Sequence, residues 1–366
     1  MASPSKQRGD ADASSSEGST ASTQSGHQHN SKKSHASMMK TNSSRWLATL
    51  MYCVSDVVLQ IALAYLLTQI FGPMLRWVNK VDFQTTAGWF GAIYSITLAH
   101  SLAQYFIIAT AVDLLADHVF PESIQLATHK RRKLLEEEAR GAAKQRSGPP
   151  YDYANRGYFV NHMLFTMRWC APIALGAVVW MPQLLIDENP PLWLIPLKVQ
   201  CGLVAGDLVY YCIHISQHKS RTLYKWTDHG FHHQFIYPWA STSTWLGTVD
   251  LLLAAFAIGA CSVLCTQLVF GRLSLFEYTL VLNYVHEMNC VDHSGCEFPF
   301  WSGCPFFPPL GYLFNLDKSI AFHEAHHNFN YYSFGLLGVA DQLFGTAKYP
   351  PNYHHSSDGS VQNKAA

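Results

Sequence analysis

Charged side chains are scarce in this chain of 366 residues, because Asp, Glu, Lys and Arg together make up only 14% of it. An ordinary soluble domain carries about 25%. The 25 basic and 25 acidic residues leave no net charge, so bulk electrostatics gives no support to a nucleic-acid-binding protein. The nine cysteines contain no Cys-x-x-Cys pair and stand mostly in apolar stretches. We interpret them as reduced structural residues and not as a disulfide scaffold.

The two ends of the chain also have few large apolar residues. Residues 1–44 are rich in Ser and Thr, and such a segment cannot bury enough surface to offset the entropy of ordering it. We therefore predict a disordered tail over 1–44 and a flexible tail over 349–366. No apolar run of the kind found in secretory signal peptides follows Met1.

Between these tails lie six apolar segments. They are Trp46–Phe71, Gly88–Val112, Trp169–Ile186, Leu192–Ile213, Leu251–Phe270 and Leu275–Val291. The first, second and fifth have the length of about 20 apolar residues that a bilayer-spanning helix needs. The others are shorter or more polar and could be partial spans or interfacial helices. Buried core helices of a soluble protein are the alternative, but six such segments in one chain favour an all-α, multi-pass membrane protein.

Short polar breaks pair these segments into hairpins and define the predicted domain organisation. Asp187–Pro191 separates the third and fourth segments, and Gly271-Arg272 separates the fifth and sixth. We predict a transmembrane hairpin over 45–118, a charged linker over 119–158 and a membrane and metal domain over 159–348. Because the linker and the N-terminal region carry Lys and Arg clusters, their common side is predicted to be cytosolic.

Histidine is abundant, with 19 residues, and its spacing is typical of metal ligands. One pair one helical turn apart, two His-x-x-His-His boxes and one further histidine supply nine candidate ligands: His214, His218, His229, His232, His233, His293, His323, His326 and His327. Residues at i, i+3 and i+4 share one face of a helix. Nine imidazoles are too many for one ion, so we predict two ions with four or five ligands each. Imidazole binds iron, zinc, copper and nickel, so the ligand type does not select the metal.

Other polar residues stand where second-shell partners are expected. Asp207, Asp228 and Asp292 are predicted to accept a hydrogen bond from the second ring nitrogen of a ligating histidine. His286 and Asn289 share a predicted helix face with His293 and are further candidates for the metal site or its second shell.

Taken together, these motifs resemble the fatty acid hydroxylase superfamily, and in particular its sterol C4-methyl oxidases and fatty acid hydroxylase domain-containing proteins. The resemblance extends over about 200–346. It is carried by Asp207–His218 (DLVYYCIHISQH), His229–His233 (HGFHH), Val291–Gly295 (VDHSG), His323–His327 (HEAHH) and Gly335–Thr346.

The resemblance implies an O2-dependent, non-haem di-iron enzyme of the endoplasmic reticulum membrane, with its histidine boxes facing the cytosol. The two iron ions, which zinc could replace in a purified form, would be held by the nine histidines. The family oxidises C–H bonds of sterols, fatty acyl chains or related lipids taken from the bilayer. Its electrons come from NAD(P)H through a b-type cytochrome and its reductase, and no nucleic acid takes part.

The sequence departs from sterol C4-methyl oxidases at two places. Their Ala-His-Pro-x-x-Glu-like stretch is reduced here to Gly247, Thr248 and Asp250, and Cys296 replaces the aromatic residue that commonly follows His-Ser-Gly. A sterol C4-methyl oxidase is therefore the first hypothesis, and a hydroxylase or desaturase of fatty acyl or sphingoid lipids is the alternative. The eleven residues from His218 to His229 favour hydroxylation over desaturation. A metal transporter and a non-catalytic metal-binding membrane protein are more remote alternatives.

Overall fold

The computed structural model describes residues 31–80, 86–119, 190–234 and 238–348, and the chain divides into two units, Met1–Leu47 and Ala48–Ala366. All regular elements of the described residues are helical, and none of these residues forms a β-strand. The predicted all-α class is therefore confirmed. All eight cysteines in the described ranges are free thiols, as predicted, whereas Cys170 lies outside them.

The described residues form ten α-helices, numbered in chain order. They are α1 (Ser31–Lys80), α2 (Thr86–Leu114), α3 (Ile195–Lys219), α4 (Arg221–Trp226), α5 (Thr248–Ala254), α6 (Ser262–Phe270), α7 (Leu275–Asp292), α8 (Pro308–Leu313), α9 (Ser319–Phe329) and α10 (Val339–Phe344). A π-helical turn, Leu115–Val119, continues α2, and another, Ala255–Cys261, joins α5 to α6. Short 3-10 turns cover Leu192–Leu194, His229–Gln234, Ala240–Thr244 and Leu316–Lys318.

Four helical stretches have the length and apolar composition needed to cross a bilayer. They are Leu47–Val78, Leu102–Val119, Leu192–Lys219 and Thr248–Phe270. Large apolar side chains on their outer faces are exposed, such as Leu59 at 68% and Leu268 at 76%. These stretches correspond to the first, second, fourth and fifth predicted segments and support a multi-pass membrane protein. The third predicted segment, 169–186, and most of the linker 119–158 lie outside the described residues.

The sixth predicted segment becomes α7, which packs among other helices. α7 contacts α2, α3, α6 and α9, and all but two of its eighteen residues are buried. Its buried carboxylates have partners: Glu277 pairs with Lys198 of α3 and also caps Ser274 at the N-terminus of α7. α7 is therefore the central helix, and its polar residues serve contacts between helices.

The sequence predicts the end of α6 correctly but not the start of α1. The break after α6 is at Gly271, whose φ of 81° is a left-handed conformation that favours glycine. At the other end of the chain, α1 begins at Ser31, upstream of the boundary predicted at residue 45. Neither glycine nor proline occurs between Ser31 and Phe71, so nothing in the backbone chemistry stops the helix before the apolar segment. The predicted tail over 1–30 lies outside the described residues.

Candidate metal centre

The nine predicted ligand histidines come together from four elements. His214 and His218 lie in the last turns of α3, and the second box occupies the 3-10 turn His229–Gln234. His293 caps the C-terminus of α7, and the third box lies on α9. Although these elements are far apart in the sequence, their imidazole nitrogens converge in two neighbouring groups.

Group one contains five histidines, namely His214, His218, His229, His233 and His326. Their ligand nitrogens all lie within 4.8 Å of one another. The Nε2 atoms of His214 and His229 are 3.0 Å apart, and those of His233 and His326 are 3.2 Å apart. His218 and His233 keep some exposed surface, whereas the other three are buried.

Group two contains four histidines, namely His232, His293, His323 and His327, and all four are buried. The Nε2 atom of His293 lies 3.3 Å from that of His232 and 3.1 Å from that of His323. The two groups thus have five and four members, which agrees in number with the prediction of two ions holding four or five ligands each.

Each His-x-x-His-His box contributes to both groups. In the third box, His323 and His327 belong to group two, whereas His326 belongs to group one. Successive residues of an α-helix are rotated by about 100°, so residues at i and i+4 point in nearly the same direction and the residue between them points elsewhere. The second box divides in the same way, with His232 separated from its neighbour His233. Two adjacent histidines therefore belong to two different groups.

The ring orientations fit a cation between the rings. Nδ1 of His214 donates to the carbonyl oxygen of Phe334 at 2.7 Å, and Nδ1 of His229 faces the Asp250 carboxylate at 2.7 Å. Because each Nδ1 holds the ring proton, each Nε2 presents a lone pair. Two lone pairs 3.0 Å apart repel each other unless a cation lies between them. Ligand nitrogens about 2.1 Å from one ion are separated by about 3.0–3.4 Å, so the observed spacing matches a shared ion.

Backbone carbonyls orient three of the other seven rings. Nδ1 of His326 donates to the carbonyl oxygen of Tyr332 at 2.8 Å, and Nδ1 of His232 to that of Trp245 at 3.2 Å. Nδ1 of His293 donates to the carbonyl oxygen of Asn289 at 2.7 Å. These bonds fix the tautomer and direct Nε2 toward the centre.

The electrostatic surroundings keep the group-two histidines neutral. Burial, reinforced by the neighbouring His229, lowers the pKa of His232 to about 4. Burial, reinforced by His232, lowers the pKa of His293 to about 3. Burial and His323 also lower the pKa of His327. At neutral pH these imidazoles are therefore uncharged, which is the form that binds metal ions.

The predicted second-shell residues have different roles in the structure. Asn289 contributes through its backbone carbonyl. Asp207 binds backbone N–H groups of the loop before α10. Asp292 accepts a hydrogen bond from Ser319 at 2.7 Å. Asp228 adopts a left-handed conformation, with φ of 58°, in the turn before His229. None of the three aspartates has a described contact with a histidine of either group.

His286 is also outside both groups. Its ring lies against Tyr105, with centroids 6.0 Å apart. His286 and His293 lie on the same face of the helix, as predicted. They are seven positions apart, however, so two helical turns separate their side chains along the axis.

Asp250 is a carboxylate that contacts a grouped histidine, through Nδ1 of His229. Its other oxygen accepts a hydrogen bond from Gln217 at 2.7 Å, so the carboxylate is held on both sides. The sequence analysis identified Asp250 only as the acid remaining from a family motif and did not assign it to the site. That remaining acid was the signal that could have placed it there.

Changing Asp250 to Asn is expected to lower the affinity of group one for metal by about 10- to 100-fold, since His229 loses its charged acceptor. Metal retention during dialysis against a graded series of chelator concentrations measures this. Asp317→Asn is the matched control, because Asp317 pairs with Lys318 away from the histidines. Equal retention by wild type and Asp250→Asn would show that Asp250 does not orient His229.

Comparison with known proteins agrees with this architecture. The helical fold and the two histidine groups define a helical membrane protein with a candidate metal centre. Residues 199–346 match the sequence model of the family described as fatty acid hydroxylase. The predicted resemblance to the fatty acid hydroxylase superfamily is thereby confirmed for the part of the chain that carries the histidine groups.

Curated relatives cover a similar region. A zebrafish (Danio rerio) protein named cholesterol 25-hydroxylase-like protein 1, member 2, is 29% identical over 188 residues, which are 51% of this chain and 62% of the relative. A Caenorhabditis briggsae cholesterol 25-hydroxylase-like protein is 24% identical over 203 residues, 48% of this chain and 64% of the relative. A rice (Oryza sativa subsp. indica) very-long-chain aldehyde decarbonylase is 29% identical over 149 residues, 40% of this chain and 50% of the relative.

The chain spans less than two thirds of the length of each of these relatives. No solved structure matches it.

Proposed function

We propose that this protein is a membrane-bound, O2-dependent, di-iron oxidoreductase that hydroxylates a C–H bond of a lipid, with a sterol as the substrate class. The observation that carries the proposal is the convergence of nine imidazoles in groups of five and four. Non-catalytic zinc sites are usually closed by four ligands around one ion. Two adjacent all-histidine groups instead suit a redox centre that acts on a small ligand.

The nine histidines would hold the metal ions, group one through five residues and group two through four. Iron bound there would supply the reductive activation of O2 that cleavage of an unactivated C–H bond requires. The chain itself does the rest. Burial of group two excludes water, and the carbonyls of Trp245, Asn289 and Tyr332 hold the rings in place. The apolar helix α3 ends at the centre, where it carries His214 and His218, and would position the hydrocarbon part of the lipid.

Two considerations support a sterol as the lipid. The sequence motifs resemble sterol C4-methyl oxidases, and two of the relatives carry names that specify carbon 25 of cholesterol. The name of the aldehyde decarbonylase relative supports long-chain acyl lipids as a second substrate class. We further propose that electrons arrive from NAD(P)H through a b-type cytochrome and its reductase, and that the centre faces the cytosol in the endoplasmic reticulum membrane.

Oxidation under ¹⁸O2 tests the proposed function. Membranes from cells that produce the chain are incubated with NADPH and lipid extract, under ¹⁸O2 or under nitrogen. We expect one ¹⁸O atom in a new hydroxysterol, and no product under nitrogen or in membranes without the chain. If the ¹⁸O label appears in hydroxyacyl or sphingoid lipids, the substrate class is acyl or sphingoid lipid and not sterol. Loss of two hydrogens without label would indicate a desaturase, and unchanged lipids would contradict the proposed function.

A further inference from the structure

His286, in the middle of α7, keeps some accessible surface although other helices pack around α7. α7 contacts α2, α3, α6 and α9, and Asn283 also donates to the backbone carbonyl of Gln60 on α1. Of the eighteen residues of α7, only Phe276, near its start, and His286 are not buried. The accessible surface of His286 therefore lies on a helix that is otherwise covered by packed neighbours.

His286 lies on the same side of α7 as the metal centre. Residues at i and i+7 of an α-helix point in nearly the same direction, so His286 and His293 share one face. Two helical turns separate them, which corresponds to about 10 Å along the axis. The ring of His286 contacts Tyr105, and Tyr105 bonds to Ser243, two residues before the Trp245 carbonyl that orients His232.

The ring nitrogens of His286 make no hydrogen bond to any residue in the described part of the chain. By contrast, two polar residues of α2 are hydrogen-bonded to α7. His100 lies 3.1 Å from the Thr279 hydroxyl, and Gln104 donates to Asn283 at 2.6 Å. These contacts join α2 to α7, which is the usual role of polar residues between membrane helices. His286 has no such role, so its imidazole remains available for a ligand.

We propose that His286 binds the hydroxyl group of a sterol that lies along α7 and extends toward group two. A neutral imidazole has one donor and one acceptor nitrogen, and a hydroxyl group can pair with either. Most lipid-binding sites are apolar with a few polar groups that fix the orientation of the ligand. His286 is such a group. This proposal rests on the proposed function, because it concerns how the proposed substrate is held.

This arrangement has a consequence for the carbon that is oxidised. With the hydroxyl at His286, about 10 Å from His293 along α7, the reacting carbon lies far from the hydroxyl-bearing carbon. The methyl groups at carbon 4 of a sterol are attached next to the hydroxyl-bearing carbon. The arrangement therefore favours oxidation of a carbon remote from the hydroxyl group over oxidation of a C4 methyl group.

Binding of cholesterol and of cholest-5-ene, which lacks only the hydroxyl group, tests the proposal. Affinities are measured on the purified full-length chain in detergent for wild type, His286→Leu, His286→Gln and the control His118→Leu, whose histidine is exposed at the end of α2. We expect wild type and His118→Leu to bind cholesterol about 5- to 10-fold more tightly than cholest-5-ene, the range for one hydrogen bond. His286→Leu should bind both equally, and His286→Gln should recover part of the preference.

The metal content and melting temperature of each variant are measured alongside. Equal binding of the two lipids by wild type, or a full preference for cholesterol in His286→Leu, would overturn the proposal. If His286→Leu does not fold, the wild-type preference and its reduction in His286→Gln decide the matter. The assay needs no turnover: a chain that distinguishes the two lipids but oxidises neither contradicts only the proposed function. Sterol oxidation without any preference contradicts only the role of His286.

Discussion

Replacing His326 by Ala is expected to abolish lipid oxidation and to lower the metal content from about two ions per chain to about one. His326 is the member of group one that comes from α9, and its Nε2 lies 3.2 Å from that of His233. Its loss leaves group one with histidines from only α3 and the turn after α4. Removing a residue that merely orients a ligand costs 10- to 100-fold in metal affinity or activity, so removing a ligand should cost more than 100-fold.

Metal analysis of purified protein and product formation in membranes measure the two effects separately. His118→Ala is the matched control, and it should keep both the metal and the activity. Because group two retains its four histidines in the His326 variant, one ion should remain. Full turnover by His326→Ala would contradict the ligand role. Loss of both ions would show that the two groups do not bind metal independently.

The candidate site could be predicted from the sequence as a set of histidines but not as two groups. Spacing at i, i+3 and i+4 predicted which residues converge, because that spacing places them on one helix side. It did not predict that His232 and His233 belong to different groups, since this depends on where the neighbouring elements approach the turn. The orienting carbonyls of Phe334 and Tyr332 could not be predicted either, because every residue has a carbonyl group.

The fold shows the same division between local and long-range information. Length and hydropathy predicted the spans that include α1 and α3, because a bilayer imposes a simple requirement on each helix alone. They did not distinguish α7, whose eighteen residues are apolar enough to resemble a partial span. Its position at the centre of the bundle is determined by contacts with other helices. The Lys198–Glu277 pair that helps to hold it there joins residues 79 positions apart.

Replacing Asp207 by Ala is expected to destabilise the metal domain by about 3–5 kcal/mol, because each buried donor left without an acceptor costs about 1–3 kcal/mol. Asp207 is fully buried in α3, seven residues before His214. One carboxylate oxygen accepts hydrogen bonds from three consecutive backbone N–H groups and the other from a fourth; the donors are Leu336 at 2.8 Å, Leu337 at 2.7 Å, Gly338 at 3.2 Å and Ala340 at 2.9 Å. Without it, four buried donors lose their acceptor. Thermal unfolding in detergent measures the loss.

Asp207→Asn separates the structural role of the carboxylate from the presence of metal. Asn keeps one oxygen for the N–H groups of Leu336 and Leu337 but turns an amide N–H toward Ala340, so it should destabilise the domain less than Ala does. The same loop contains Phe334, whose carbonyl orients His214. Both variants should therefore weaken metal binding by group one, and in the same order as they lower the melting temperature. Because the carboxylate itself touches no histidine, a variant that lost metal at unchanged thermal stability would contradict this account and indicate that Asp207 acts directly on the metal centre.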